Sequence, residues 1–229
     1  MPIDISDYKT KAHSAVMQFW CGGRGRKKKI SNKMDGFADL ITDIVSNNGL
    51  SKSSVLWQQD QHVSLPGHFF STQPWDLVVV NEGKLVAAIK LNYQLRGSID
   101  NHGTRDYKEV LSMSMELRAA YRQGIFRETR KPFVGYLVLI EDAPTLRKPI
   151  NDVSPFFPLL PEFRGASYAE RINILSEKLM AENLYSAAAV ILSPRSASKS
   201  GEYSEMSAMT GLKAFVATLA GHVAAEAAM

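Results

Sequence analysis

The sequence predicts an α/β fold: a central mixed β-sheet flanked by helices. Two apolar runs, residues 77–80 and 85–89, are joined by Asn81-Glu82-Gly83-Lys84, a composition that suits a tight hairpin turn. Both runs are apolar at every position, so they belong in a sheet covered on both faces. Downstream of this hairpin, helical and strand-like segments alternate, as they do when helices pack against a sheet.

Residues 7–20 read as a first helix, with Ala12, Val16, Phe19 and Trp20 at helical spacing. A Gly/basic loop follows. Met34, Phe37, Leu40, Ile41, Ile44 and Val45 then form one stripe of an amphipathic helix that stops at Asn47-Asn48-Gly49. Residues 51–65 fit neither period. Leu65-Pro66-Gly67 reads as a turn. Beyond the hairpin, residues 97–104 read as a loop and 105–123 as a helix. Strands are expected at 134–140 and 186–192, and helices at about 167–182 and 205–227.

At 229 residues the chain suits one domain, 1–229, with room for a full core. No run approaches the roughly 18 apolar residues of a membrane span. The first residues lack the basic and apolar regions of a secretion signal. A single cysteine, Cys21, rules out an internal disulfide and cysteine-rich zinc clusters. These features point to a cytoplasmic protein that does not act at a membrane.

The formal charge is +4, and its location is informative. Arg24, Arg26, Lys27, Lys28, Lys29 and Lys33 lie within ten residues that hold no acid; taking these six away from +4 leaves −2 for the rest. A concentrated basic stretch attracts a polyanion such as DNA, although a solvated loop between glycines has the same composition.

The chemistry concentrates at residues 74–92. Asp76 stands at the head of the hairpin, and Lys90-Leu91-Asn92 follows its second strand. Phosphodiester hydrolysis calls for a metal held by hard oxygen ligands and for a group that orients the attacking water. Asp35, Asp39 and Asp43 repeat every four residues on the polar side of their helix and read mainly as a solvated face. His62, His68 and His102 show no metal-ligand spacing.

Several blocks together resemble the XhoI/PaeR7I family of type II restriction endonucleases, within the PD-(D/E)-x-K nucleases. They are Leu65-Pro66-Gly67, Trp75-Asp76 with its apolar strand, 85–89, 135–142, 161–171 and 184–193, spanning roughly residues 15–195 in order. The resemblance implies a restriction-endonuclease-like core, double-stranded DNA as partner, Mg²⁺ as cofactor, a homodimer and a palindromic CTCGAG target. It implies a metal-binding role for Asp76. It also sets Lys90 where the family carries a glutamate and Asn92 where it carries a lysine. Gln94, Ser98, Asn101 and Glu109 fit positions that follow, and the segment around Arg105 departs from the family's pattern.

Two registers therefore stay open. In the family's register, Lys90 puts an ammonium in place of a metal ligand and Asn92 cannot carry a proton, so cleavage is impaired or lost. In the second register Lys90 is itself the catalytic lysine. Its acid then comes from the next helix, where Asp106 and Glu109 lie three apart on one face. The candidate catalytic set is Asp76, Lys90, Asn92 and Glu109, with Asp76 on the metal. The candidate DNA-binding set is Arg24, Arg26, Lys27, Lys28, Lys29, Asn101 and Arg105. The competing function is a non-catalytic DNA-binding pseudonuclease or restriction-system subunit.

Overall fold

The computed structural model describes residues 3–21, 33–57, 63–97, 99–127 and 129–229, and within 99–106 the backbone alone. The helices are α1 (Tyr8–Cys21), α2 (Asp35–Asn47), α3 (Ile99–Arg122), α4 (Tyr168–Ala181) and α5 (Leu212–Ala227). The strands are β1 (Val55–Trp57), β2 (Ser64–Pro66), β3 (Thr72–Pro74), β4 (Leu77–Asn81), β5 (Lys84–Gln94), β6 (Phe133–Glu141), β7 (Ala187–Ser193) and β8 (Ser204–Glu205). The main sheet runs β1-β4-β5-β6-β7-β8, and β2 pairs with β3 in a separate ribbon. β5, β6 and β7 are parallel neighbours and the remaining pairs antiparallel, so the sheet is mixed as expected.

The β4–β5 turn forms because Glu82 and Gly83 both adopt positive φ, 51° and 77°, the backbone of a two-residue turn that matches strand twist. β6 and β7 are buried at every position. Their odd and even residues feed two cores. On one face α1, α2 and α5 cover Leu77, Val79, Ile89, Leu137 and Ile191. On the other α3 and α4 cover Val78, Ala88, Tyr136, Val138 and Val190. α4 starts with a capping box, Ser167 Oγ accepting from the Glu170 N–H and the Glu170 carboxylate accepting from the Ser167 N–H.

Gly135 lets α5 approach the sheet: a Cβ there would lie 2.7 Å from Phe133 Cε1 and 3.0 Å from Phe215 Cε2. Phe133 and Phe215 meet edge-on at 5.6 Å. Gly135→Ala is therefore expected to overpack this contact and cost about 1–3 kcal/mol. A lowered urea midpoint with an unchanged m value would show it; an unchanged midpoint would mean that α5 yields.

Four expectations need correction. α3 starts at Ile99, so 99–104 is helix rather than the loop that its polar composition and Gly103 suggest. β5 does not stop at residue 89 but carries Lys90, Leu91 and Asn92 through to Gln94, with Lys90 paired to Tyr136 of β6. Leu65 and Pro66 lie in β2, and the chain turns only from Gly67. The last helix starts at Leu212 rather than near 205, since Ser204–Glu205 pairs with β7 and the Glu205 carboxylate accepts the Leu212 N–H at 2.8 Å.

Candidate active site

The hairpin register builds the site. Leu77 stands opposite Ile89, which sets Asp76 across from Lys90. Ala88, two residues before Lys90, packs on the α3 side, so strand alternation sends the Lys90 side chain to that same side. Asp76 is buried, and its Oδ2 accepts the Leu91 N–H at 2.8 Å. Lys90 Nζ sits 3.3 Å from Asp76 Oδ2 and 2.9 Å from Glu109 Oε1 of α3. Glu109 in turn lines an open cleft of about 490 Å³ with Gln73, Pro74, Lys108 and Ser112.

Two carboxylates thus share one ammonium, leaving one net negative charge. Burial raises the pKa of Asp76 above the usual carboxylate range; Lys90 and the Leu91 N–H pull it down, and Glu109 pushes it up further. Burial also works against the charge on Lys90. The flanking Asp76 and Glu109 outweigh it, so the Lys90 pKa is raised and its side chain stays an ammonium at neutral pH. A buried carboxylate and a solvent-facing one with an excess negative charge suit Mg²⁺, which commonly takes one or two protein carboxylates plus water and phosphate oxygens. No cluster of three or more His, Cys, Asp or Glu able to hold a metal occurs among the described residues.

Asp76, Lys90 and Glu109 therefore converge, whereas Asn92 does not join them. Its Oδ1 accepts the N–H of Tyr93 at 2.8 Å. α2 lies in the opposite helical layer. There Asp35 accepts from Trp57 Nε1, and Asp43 pairs with Lys11 and Lys52. Arg24, Arg26, Lys27, Lys28 and Lys29 lie outside the described residues, as do Ser98, His62 and the side chains of Asn101, His102, Arg105 and Asp106.

The described residues on either side of that basic stretch, Cys21 and Lys33, lie toward the C-terminal edge of the parallel strands. Cys21 Sγ donates to Ser198 O at 3.2 Å, and Lys33 Nζ lies 5.0 Å from the Phe19 ring. Phe19 itself stacks edge-on with Tyr93 of β5 at 5.5 Å. The buried Glu141 at the end of β6 holds the Arg195 guanidinium through two hydrogen bonds, at 2.7 and 3.2 Å, and accepts the Arg96 N–H. Glu141 thus ties Arg195 and the Arg96 backbone to the end of β6, and an acid at a strand end carries no signal of that in the sequence.

Tyr185 supports the site from behind, donating its hydroxyl to Val110 O at 2.9 Å, one residue past Glu109. Its pKa is pushed well up by burial, and further by Tyr136, Asp76 and Glu109, so it remains a donor. Glu116, on α3 two turns past Glu109, was equally invisible in the sequence. Its Oε2 accepts the N–H groups of His68 and Phe69 at 2.6 and 2.9 Å, and of Phe70 at 3.5 Å. Burial opposes its ionisation, but these donors outweigh burial and lower its pKa.

A mixed sheet of this order, with an acid heading the hairpin and a lysine facing it from the next strand, defines the restriction-endonuclease-like class of α/β proteins. The chain belongs to the XhoI restriction endonuclease family, whose model matches residues 22–205. It is 34% identical over 202 residues to the type II restriction enzyme BstVI of Geobacillus stearothermophilus, covering 86% of this chain and 89% of that one. It is 34% identical over 194 residues to the type II restriction enzyme XhoI of Xanthomonas vasicola, covering 79% and 78%. With AbrI of Azospirillum brasilense it shares 35% over 173 residues, covering 69% of this chain and 77% of the relative. No solved structure matches the chain significantly. No helix among the described residues is long and apolar enough to cross a membrane.

Proposed function

We propose that this chain is a type II restriction endonuclease that hydrolyses double-stranded DNA with Asp76, Glu109 and Lys90. The observation that carries this reading is the convergence of those three side chains, with Lys90 Nζ at 3.3 and 2.9 Å from the two carboxylates. It favours the register in which Lys90 is the catalytic lysine and the second acid has moved to the helix. Asp76 and Glu109 would hold Mg²⁺, which supplies an acidified water and counter-charge for the phosphate when bound. Lys90, already protonated, is a charged hydrogen-bond donor rather than a base. It orients the attacking water and stabilises the negative charge that develops on the phosphate oxygens. Asn92 is left as a strand residue.

The charge of Arg24, Arg26, Lys27, Lys28 and Lys29 would attract the duplex, and the residues that flank this stretch, Cys21 and Lys33, lie toward the C-terminal edge of the sheet. Asn101 and Arg105, at the start of α3, belong to the same edge. A palindromic target such as CTCGAG would be met by a C₂ homodimer.

Incubation of the protein with duplex DNA carrying CTCGAG, in Mg²⁺ or Mn²⁺ and in EDTA, tests the proposal. Metal-dependent cutting is expected. DNA binding without cutting under every metal would instead make the chain a non-catalytic subunit. The double variant Lys90→Glu/Asn92→Lys separates the two registers. It is expected to lose activity; a gain of metal affinity and cleavage would restore the family's spacing as the working one.

A further inference from the structure

The ribbon of β2 and β3 ends in a tip, Gly67-His68-Phe69-Phe70, that leads directly back to Asp76. The backbone of this tip is tied to α3. The buried Glu116 of α3 takes all three N–H groups from His68 to Phe70. Gly67 is required there, since a Cβ would fall 2.4 Å from Phe70 O and 2.8 Å from Glu116 Oε2. Yet the side chains that this arrangement presents are apolar and point outward: Phe69 is 73% exposed and Phe70 60%. His68 packs edge-on against Phe69 at 4.6 Å. A backbone fixed by a buried carboxylate so that two phenyl rings stand in water has no account in the stability of the fold.

The helix that holds the tip presents a face of matching character. The exposed residues of α3 among those described are Lys108, Leu111, Met115, Arg118 and Arg122, one stripe at helical spacing and free of acids. Lys108 at its start also lines the cleft beside Glu109. Aromatic rings next to an acid-free basic stripe complement a polyanion with stackable faces. A second copy of the same surface does not fit, because a two-fold contact would set these cations against each other.

We propose that the Phe69–Phe70 tip is a wedge that inserts between base pairs of the bound duplex near the cut phosphate, with Lys108, where the α3 stripe meets the cleft, on the flanking backbone. The proposal rests on the nuclease reading above. Aromatic side chains stack on bases without regard to sequence, and apolar wedges partly unstack a base step and bend the duplex. The tip would thereby open the duplex at the hairpin that carries Asp76.

The test is a titration of a CTCGAG duplex carrying 2-aminopurine at and beside the site, in Ca²⁺, with fluorescence and mobility shift read together. Wild type is expected to raise the fluorescence as it binds. Phe69→Ala/Phe70→Ala should abolish that rise and weaken binding by roughly 10–100-fold, with the slope of affinity against salt unchanged. Phe69→Tyr/Phe70→Tyr should restore both. Lys108→Ala should instead lower the salt slope by about one without removing the fluorescence rise. If the wild-type duplex binds with no fluorescence change, or the double alanine variant matches wild type, the wedge is overturned. If the double alanine variant binds DNA normally but alters the sedimentation of the protein, the tip is a subunit contact and the wedge is likewise overturned. Absence of any DNA binding by wild type at low salt would overturn the nuclease reading itself.

Discussion

Lys90→Met is expected to slow DNA cleavage by roughly 10²–10³-fold, the scale for removing one positioned donor that stabilises charge in the transition state. Its effect on stability should depend on pH. Lys90 is the cation between Asp76 and Glu109, and Asp76 is buried with its pKa already raised, chiefly by that burial. Removing the ammonium leaves the Asp76 carboxylate facing Glu109 alone, which drives its pKa higher still. Loss of one partner of a buried ion pair typically costs about 3–5 kcal/mol. That cost belongs to the ionised carboxylate, so it appears as pH rises above the ordinary aspartate range and shrinks as Asp76 takes up a proton in acid. The contribution of Lys90 itself has the opposite limit. With a raised folded pKa, it is full below the ordinary lysine value and is lost only as pH climbs through the raised one. Single-turnover cleavage, with urea unfolding at pH 8 and near pH 4, measures both effects. Wild-type cleavage by the methionine variant would remove Lys90 from the chemistry.

Much of this architecture is legible locally. β4, β6 and β7 announce themselves as short continuous apolar runs, and α2 as an apolar stripe at helical spacing. Glu82-Gly83 names its own turn. The site was half legible. Asp76 and Lys90 are joined by strand register, but a bulge between Val79 and Val80 shifts that register by one residue, so turn length alone would set Asp76 opposite Ile89. Glu109 could be named as the third member only by residue type and helical face, since no spacing rule says that α3 folds back over β5. The start of α3 was misplaced because its first turns are polar, and α5 because Ser204–Glu205 has more to gain from pairing with β7 than from joining a helix. Contacts such as Glu116 with the 68–70 backbone leave no pattern at all. A carboxylate that accepts main-chain donors 46 to 48 residues away looks in the sequence like any helical glutamate.

Asp76→Asn sets function against stability most directly. The substitution removes one of the two carboxylates proposed to hold Mg²⁺, and cleavage should fall by at least roughly 10²–10³-fold, the scale for deleting one group that supports charge in the transition state. The amide oxygen can still accept the Leu91 N–H, and Lys90 keeps Glu109 at 2.9 Å. The fold therefore loses little geometry. It also loses a charge that is costly to bury. Because the folded pKa of Asp76 is raised, chiefly by burial, the folded protein holds a proton that the unfolded chain releases, and wild-type stability falls as pH rises from the ordinary aspartate value through the raised one. Asparagine does not titrate. The stability of the variant relative to wild type should accordingly increase across that window and level off above it. Urea midpoints measured from pH 3 to pH 8 give this difference directly. A difference that narrows with rising pH would mean that Lys90 more than repays the burial of Asp76. The site would then be an ion pair kept for the fold, rather than a charge that the fold tolerates for the sake of a metal and a phosphate.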